Sequence, residues 1–340
     1  MENRNTNYTS KSTLNEENIS ELTENLKNSL SPEILDKLEI VSYVSKGGES
    51  MTYKGYIKNN NKNRKTALFK LIKKKNPEKE VKISSKLKNI NVIDFFASTP
   101  AKKDESYLII MEYAELGDLR NFQRNIVKQT IFPESMVNYI ASQVLKGIEY
   151  CHRCKVAHMD IKPQNLVIDE LLNIKLIDFS ISINYKNNIK ESIKLPLAGT
   201  NFYMPLEVLN ESNIKLEFLH KVDLYSFGVV LFNLAFGCYP YGLEKGDENN
   251  YDIIRDKIQN NELSFDEEFG YSNSFLDFLR KLLEKDINKR ISLYEAINHY
   301  WIKGADILYE EKDNFYNGSY FITHLLTDHI SRFNDYVNTK

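Results

Sequence analysis

The chain has 340 residues, enough for one large domain built in two parts or for two ordinary domains. It is 42% hydrophobic and 27% charged, the balance of a globular protein in water, and its 45 Lys and Arg against 47 Asp and Glu leave a formal net charge of −2. That balance excludes a global attraction to nucleic acid or to an anionic membrane surface, and no apolar run approaches the roughly 20 residues that cross a bilayer.

Taken in chain order, residues 1–37 read as a polar N-terminal extension. Its start, MENRNTNYTSKSTLNEEN, has neither the apolar core of a secretory leader nor the Met-Gly of a myristoylation signal, and the composition of the first fifteen residues predicts disorder. Within NISELTENLKNSL, Ile19, Leu22, Leu26 and Leu30 recur at helical spacing. This predicts a short helix packed on the domain that follows, with a regulatory or partner-binding helix as the alternative. Ser31 and Pro32 then provide a cap and a first-turn proline for a second short helix.

From residue 38 the texture changes. LEIVSYVSKGGESMTYKGYIK, TALFKLIKK, NVIDFFAST and SYLIIMEYA are rich in β-formers and read as strands, with the polar turn NNNKNR before the second of these segments. From about residue 117 the pattern is helical, interrupted by short apolar pieces at NLVID and IKLID. Strands first and helices later predict an α+β architecture with a cleft between two lobes. The three cysteines, Cys151, Cys154 and Cys238, are too few and too uneven for a disulfide framework and point to a reducing compartment. Cys151 and Cys154 form a lone C-x-x-C without a second ligand pair, so packing is expected rather than zinc. The tail, residues 303–340, has aromatics clustered at 315–322 and an apolar stripe near 321–333. Packing on the large lobe is expected there, with a docking or dimer contact as the alternative, and His324 and His329 are expected to be surface or packing residues.

The chemistry concentrates in HMDIKPQNLVID, residues 158–169. Asp160, Lys162 and Asn165 are too close together to share one helix face, and Pro163 argues for a loop. A carboxylate, an ammonium and an amide carbonyl on one loop can receive a hydroxyl proton, stabilise phosphate charge and coordinate a hard cation. Downstream, IKLIDFS sets Asp178 at the end of an apolar strand, a second carboxylate suited to magnesium, which prefers oxygen ligands together with substrate phosphates.

Together, in this order and spacing, these segments resemble the catalytic loop and metal-binding motif of the eukaryotic protein kinase family, of its Ser/Thr type. The resemblance runs from about residue 40 to residue 302. It implies a protein-kinase-like fold over 38–302, with a small β-rich N-lobe (about 38–113), a larger helical C-lobe (about 114–302), and ATP with Mg²⁺ as cofactors. SKGGESMTYKG resembles the glycine-rich loop, with Gly47 as its central glycine. ALFK places Lys70 where the family's lysine meets the α- and β-phosphates, and EVKISSKLKNINVIDFF resembles the helix carrying its partner, Glu80. LIIMEYAELGDL resembles the hinge: Met111 as gatekeeper, Glu112 and Ala114 offering backbone groups to adenine, and Asp118 facing the ribose. Val44, Thr52, Leu68, Val167 and Ile177 complete the implied nucleotide contacts. Asp160 is implied as the base that orients the substrate hydroxyl, Lys162 as stabiliser of the transferred group, and Asn165 and Asp178 as Mg²⁺ ligands. AGTNFYMPLE resembles the end of the activation segment and contributes Thr200. Asp223 is implied to brace the catalytic loop, and Arg290 to pair with Glu207.

This sequence departs from the family pattern at several points. Ser45 and Ser50 replace the outer glycines of the phosphate loop, Thr52 and Leu68 stand where valine and alanine usually hold adenine, and the path from Lys70 to Glu80 is short. Ser84 replaces an apolar residue that joins the lobes, and Ser180 replaces the glycine after Phe179. Met159 stands where many members carry an arginine that binds an activation-loop phosphate, so activation is expected not to use that link. Ser182, Tyr185 and Ser192 remain as candidate acceptors, with ordinary loop hydroxyls the preferred reading. The expectation is an ATP-dependent Ser/Thr protein kinase acting on protein substrates. It is expected to be a cytoplasmic or nuclear monomer with no nucleic-acid or membrane partner, and the N-terminal helix or the tail is open to a regulatory partner. The alternative is a nucleotide-binding pseudokinase scaffold with little or no transfer activity.

Overall fold

The computed structural model describes residues 24, 26–46, 50–58, 64–72, 77–101, 106–127, 131–185 and 191–304. The expectations for Ile19, Leu22 and Gly47, and for the aromatic and histidine-bearing tail from residue 305, lie outside the described residues. The chain divides into two compact units. One gathers residues up to Val81 with Phe95–Tyr113, and the other gathers Lys82–Asp94 with the residues from Ala114 onward. The fold class is α+β.

The first unit is an antiparallel sheet of β1 (Leu38–Lys46), β2 (Ser50–Lys58), β3 (Arg64–Ile72), β4 (Phe95–Pro100) and β5 (Tyr107–Glu112), in the order β1-β2-β3-β5-β4. Period-two alternation sorts its side chains. Ala67, Phe69 and Leu71 of β3, Leu108 and Ile110 of β5, and Tyr53 of β2 bury one face. Leu26 and Leu30 close that face at 0% and 3% exposure, so the leucine stripe before the sheet belongs to its core. The short helix α1 (Pro32–Lys37) follows with Pro32 in its first turn, but the Ser31 hydroxyl makes no cap bond. Gly55 is required where β1 crosses β2. A side chain there would overlap the Glu39 carbonyl and the Phe69 ring, next to a register shift between Ile40 and Ser42. After β3 comes α2 (Glu78–Ser84), a short helix that carries Glu80 in its first turn.

The second unit is helical. Its core is threaded by α3 (Glu134–Arg153), where fourteen buried residues run from Met136 to His152. Two short antiparallel ladders follow: β6 (Val156–Ala157) pairs with β9 (Ile183–Asn184), and between them β7 (Leu166–Ile168) pairs with β8 (Ile174–Leu176). A further ladder joins β10 (Ser192–Lys194) to β11 (Asn213–Lys215). The helix α4 (Leu219–Phe236) is buried on nearly all sides, as a helix apolar all round must be. It ends at Gly237, whose left-handed φ of 70° lets its N–H return to the Asn233 carbonyl. Ile83, Leu87 and Val92 pack into this core, and Val92 bridges Leu176. Arg290, 1% exposed, meets Glu207 through two bonds of 2.6 and 3.1 Å and also donates to the carbonyls of Lys221, Glu284 and Lys285. This is a satisfied structural ion pair. Cys151 is buried and Cys154 is exposed, so the C-x-x-C does not present both thiols alike, and burial pushes the Cys151 thiol well up. No helix among the described residues is long and apolar enough to cross a membrane.

Truncating a leucine that nothing else can replace costs transfer energy plus a cavity. Leu26→Ala is expected to destabilise the protein by about 2–4 kcal/mol, measured by urea unfolding, while a substitution at exposed Glu24 leaves stability within about 0.5 kcal/mol.

Candidate active site

In the first unit, the sheet face opposite the core carries Leu68 and Lys70. Lys70 is registered against Thr52 of β2 and Ile109 of β5, and Leu68 against Met111. Lys70 Nζ donates to Glu80 Oε1 at 2.7 Å, with the two side chains 12% and 8% exposed. The short path between them therefore still permits the pair, because α2 places Glu80 in its opening turn. Ion pairs this dry are costly to break from one side, since the remaining charge is left buried. The hydroxyls of Ser45 and Thr52 bond at 2.7 Å, tying the serine that stands for a glycine to the neighbouring strand. Met111 is buried in β5, Glu112 ends that strand, and Val44 is largely exposed on β1.

In the second unit, the loop after β6 brings the other charged groups together. Lys162 Nζ donates to Asp160 Oδ2 at 2.6 Å and to Thr200 Oγ1 at 2.8 Å, and the Thr200 hydroxyl lies 3.3 Å from Asp160 Oδ1. Asn165 Nδ2 donates to both the carbonyl and Oδ2 of Asp160 at 2.8 Å. Both bonds use the amide nitrogen, which leaves Oδ1 as that side chain's acceptor. Thr200 reaches the loop because Gly199, at φ 113°, turns the chain where an added side chain would lie 3.4 Å from Asp160 Oδ1. Two further residues hold left-handed backbone without being glycine: Met159 at φ 72° and Asp178 at φ 66°. Such strain persists only where surrounding bonds over-determine it.

Those bonds are visible. Asp223, 1% exposed, accepts the N–H of His158 at 2.8 Å and of Met159 at 2.7 Å, and is 2.7 Å from His152 Nε2. Burial disfavours its charge, yet the bond from His152 and the Met159 N–H hold its carboxyl below the ordinary value. His158 receives the Asp160 N–H on Nδ1 and reaches the Ile177 carbonyl through Nε2 at 2.9 Å, which requires the Nε2–H tautomer. The Ile177 N–H in turn donates to the Asn165 carbonyl at 3.0 Å, so the residue before Asp178 is fixed to the loop that bears Asn165. Asp118 caps the turn at Leu119–Asn121 by accepting the Asn121 N–H at 2.9 Å, and its backbone bridges Val167. The Ala114 carbonyl accepts the Gly117 N–H at 3.2 Å.

A strand-first unit with a buried Lys–Glu pair, followed by a helical unit whose loop clusters Asp, Lys and Asn, has a counterpart among known families. Residues 38–302 match the protein kinase domain family. The chain belongs to that family. Its kinase domain is similar to the serine/threonine-protein kinase pakH of Dictyostelium discoideum, 29% identical over 78% of this chain and 50% of that protein. It is also similar to a probable myosin light chain kinase of the same organism, 33% identical over 67% of this chain and 44% of that protein. Human death-associated protein kinase 2 is 31% identical over 67% of this chain and 59% of its own length. The chain thus spans about half the length of the curated relatives it matches.

Some residues of the kinase domain sit differently from their sequence expectation. Ser182 is fully buried and donates to the His158 carbonyl at 2.9 Å, so it is a structural hydroxyl and not an accessible acceptor. Tyr185 is half-buried, its hydroxyl 3.0 Å from His152 Nδ1, and burial followed by the Asp223 charge pushes its pKa up to about 12, which keeps the O–H as a donor. Ser192 is exposed at the start of β10. The sequence reading does not single out His152 or His158. His158 stands beside the aspartate in HMD, but His152 sits at the end of a helix with no local signal, and only the fold brings it to Asp223.

His220 packs edge-on to His152, and its Nε2 is buried without a partner among the described residues. Burial, chiefly, lowers its pKa from 6.5 to about 4. The unfolded chain therefore binds this proton first, and the histidine's contribution to stability is lost as pH falls from about 7 toward 4. His220→Phe is expected to remove about 2–3 kcal/mol of the stability difference between pH 7 and pH 4. Urea unfolding of both proteins across that range checks it; parallel pH profiles contradict it.

Proposed function

We propose that the protein is an ATP-dependent Ser/Thr protein kinase, transferring the γ-phosphoryl group to hydroxyls of protein substrates. The observation that carries this reading is the closed Asp160–Lys162–Thr200–Asn165 cluster. It places a proton acceptor, a cation and an orienting hydroxyl within one hydrogen-bonded group. Asp160 accepts the substrate hydroxyl proton and aims the oxygen; Lys162 balances charge on the group in transfer; Lys70, held by Glu80, positions phosphate oxygens. The relatives' names, among them a serine/threonine-protein kinase, support hydroxyl substrates on Ser or Thr.

The donor set fits Mg²⁺. Asn165 keeps its carbonyl oxygen out of the Asp160 contacts, and Asp178 supplies a carboxylate, both hard oxygen ligands of the kind magnesium takes alongside phosphates and water. When bound, that ion supplies neutralisation of phosphate charge, and Asn165 and Asp178 are the residues that would hold it. Val44, Thr52, Leu68, Met111 and Glu112 in the first unit, and Ala114, Asp118, Val167 and Ile177 in the second, are each proposed as nucleotide-contacting residues.

Met159 bears on regulation. It borders a cleft of about 450 Å³, solvent at its mouth included, with Ile181, Ile183, Leu195, Val208 and Val222 on the wall. Asp160 is the one charged side chain among the described residues that line it. Met159 itself offers a phosphate no charge-assisted bond, and the nearby Lys162 is engaged with Asp160 and Thr200, so we propose that activity does not require phosphorylation of the segment after Asp178. A reducing, cytoplasmic setting is proposed on the cysteine count alone, three in 340 residues. A second reading, a nucleotide-binding scaffold with little transfer, is favoured by one feature: Leu68 adds bulk beside Met111 on the Lys70 face of the sheet.

Mass spectrometry of protein incubated with Mg-ATP and a generic substrate separates the two readings. Wild type is expected to incorporate phosphate at least about 100-fold faster than Asp160→Asn, and prior phosphatase treatment is expected to leave the wild-type rate within about twofold. Equal incorporation by wild type and Asp160→Asn rejects the enzyme.

A further inference from the structure

Tyr185 follows β9, on the segment that runs on from Asp178, and its N–H donates to the Lys155 carbonyl at 2.9 Å. Its ring is half-buried beneath Lys155 Nζ, 5.9 Å from the centroid. The hydroxyl has two acceptors within reach: His152 Nδ1 at 3.0 Å and the His152 carbonyl at 3.4 Å. His152 is 6% exposed, and because a carboxylate only accepts, its Nε2 must be the donor to Asp223 at 2.7 Å. That leaves Nδ1 needing a donor, and Tyr185 supplies it. Asp223 then spends its remaining acceptor capacity on the N–H groups of His158 and Met159. The second of these is the left-handed residue directly before Asp160.

We infer that Tyr185 is a positioning residue for the catalytic loop, acting through His152 and Asp223 on the backbone that aims Asp160. The hydroxyl fixes the imidazole's rotation; the imidazole, bonded to Asp223 Oδ2, holds the carboxylate so that Oδ2 also meets the His158 N–H and Oδ1 meets the Met159 N–H; the two amides hold Met159 at its strained φ. A chain of hydrogen bonds that needs no phosphate thereby couples the segment after Asp178 to the catalytic loop. It does so in a molecule whose Met159 cannot make that coupling through a phosphate. Buried networks of this kind rigidify when every member is satisfied and loosen when one is removed.

The kinetic part of this inference rests on the proposed kinase activity; the exchange part does not. Tyr185→Phe keeps the ring and deletes only the hydroxyl. Amide hydrogen exchange followed by mass spectrometry is expected to show peptides covering 156–162 exchanging at least about fivefold faster in Tyr185→Phe, with peptides of β3 and α4 unchanged and the thermal midpoint within about 2 °C of wild type. In protein-phosphorylation assays, kcat is expected to fall about three- to tenfold, with KM for ATP and for substrate within about twofold. In a His152→Gln background the Tyr185→Phe change should alter kcat by less than about 1.5-fold, because its route is already cut. Unchanged exchange at 156–162 overturns the inference, as does exchange that accelerates uniformly through the second unit. So does an active wild type whose kcat survives Tyr185→Phe, or additive effects of the two substitutions. If the wild type transfers no phosphate, the proposed function falls while the exchange comparison still decides the role of Tyr185. If His152→Gln does not fold, the single variant decides it.

Discussion

A buried carboxylate that must be satisfied organises the second unit. Asp223 sits on a helix with almost no exposed face, where an unpaired charge would be expensive. Its oxygens are met by one imidazole and two backbone amides, and these partners come from the end of α3 and from the loop after β6. The loop that bears Asp160, Lys162 and Asn165 is therefore shaped from behind by a demand for hydrogen bonds, before any substrate is considered. The same demand explains why a methionine tolerates left-handed backbone: relaxing it would strand a buried anion.

Much of this was legible in the sequence, for physical reasons. The strand segments announced themselves by β-branched and aromatic alternation, and all four formed strands, the first of them two, although NVIDFFAST begins its strand only at Phe95. The Lys70–Glu80 and Glu207–Arg290 pairs followed from resemblance, and both are present. Polar hydrogen-bond chains were less legible, because they depend on which side chains the fold brings together. Ser182 and Tyr185 looked like two loop hydroxyls of equal standing; in the fold one is sealed under His158 and the other is tied to His152. Ser31 shows the limit of a local rule: Pro32 starts the helix as expected while the serine side chain makes no cap.

The departures from the family pattern fall into two kinds. Ser45 and Leu68 change what the Lys70 face of the sheet offers, one by tying a hydroxyl to Thr52 and the other by adding bulk next to Met111. Met159 changes what surrounds the Asp160 loop, placing an apolar side chain where many family members carry an arginine. Neither kind touches the groups that carry charge through the proposed reaction, so divergence has collected around the chemistry and not within it.

The packing of Leu26 and Leu30 has a practical meaning. The stretch that matches the family begins at residue 38, yet one face of the sheet it opens with is closed by Leu26 and Leu30, twelve and eight residues further back. The recognisable domain and the folding domain are therefore different lengths of chain. A recombinant fragment cut at the family boundary would present Tyr53, Phe69 and Leu71 to solvent as an adhesive apolar surface, and losses in yield or solubility would be misread as a defect of the kinase itself.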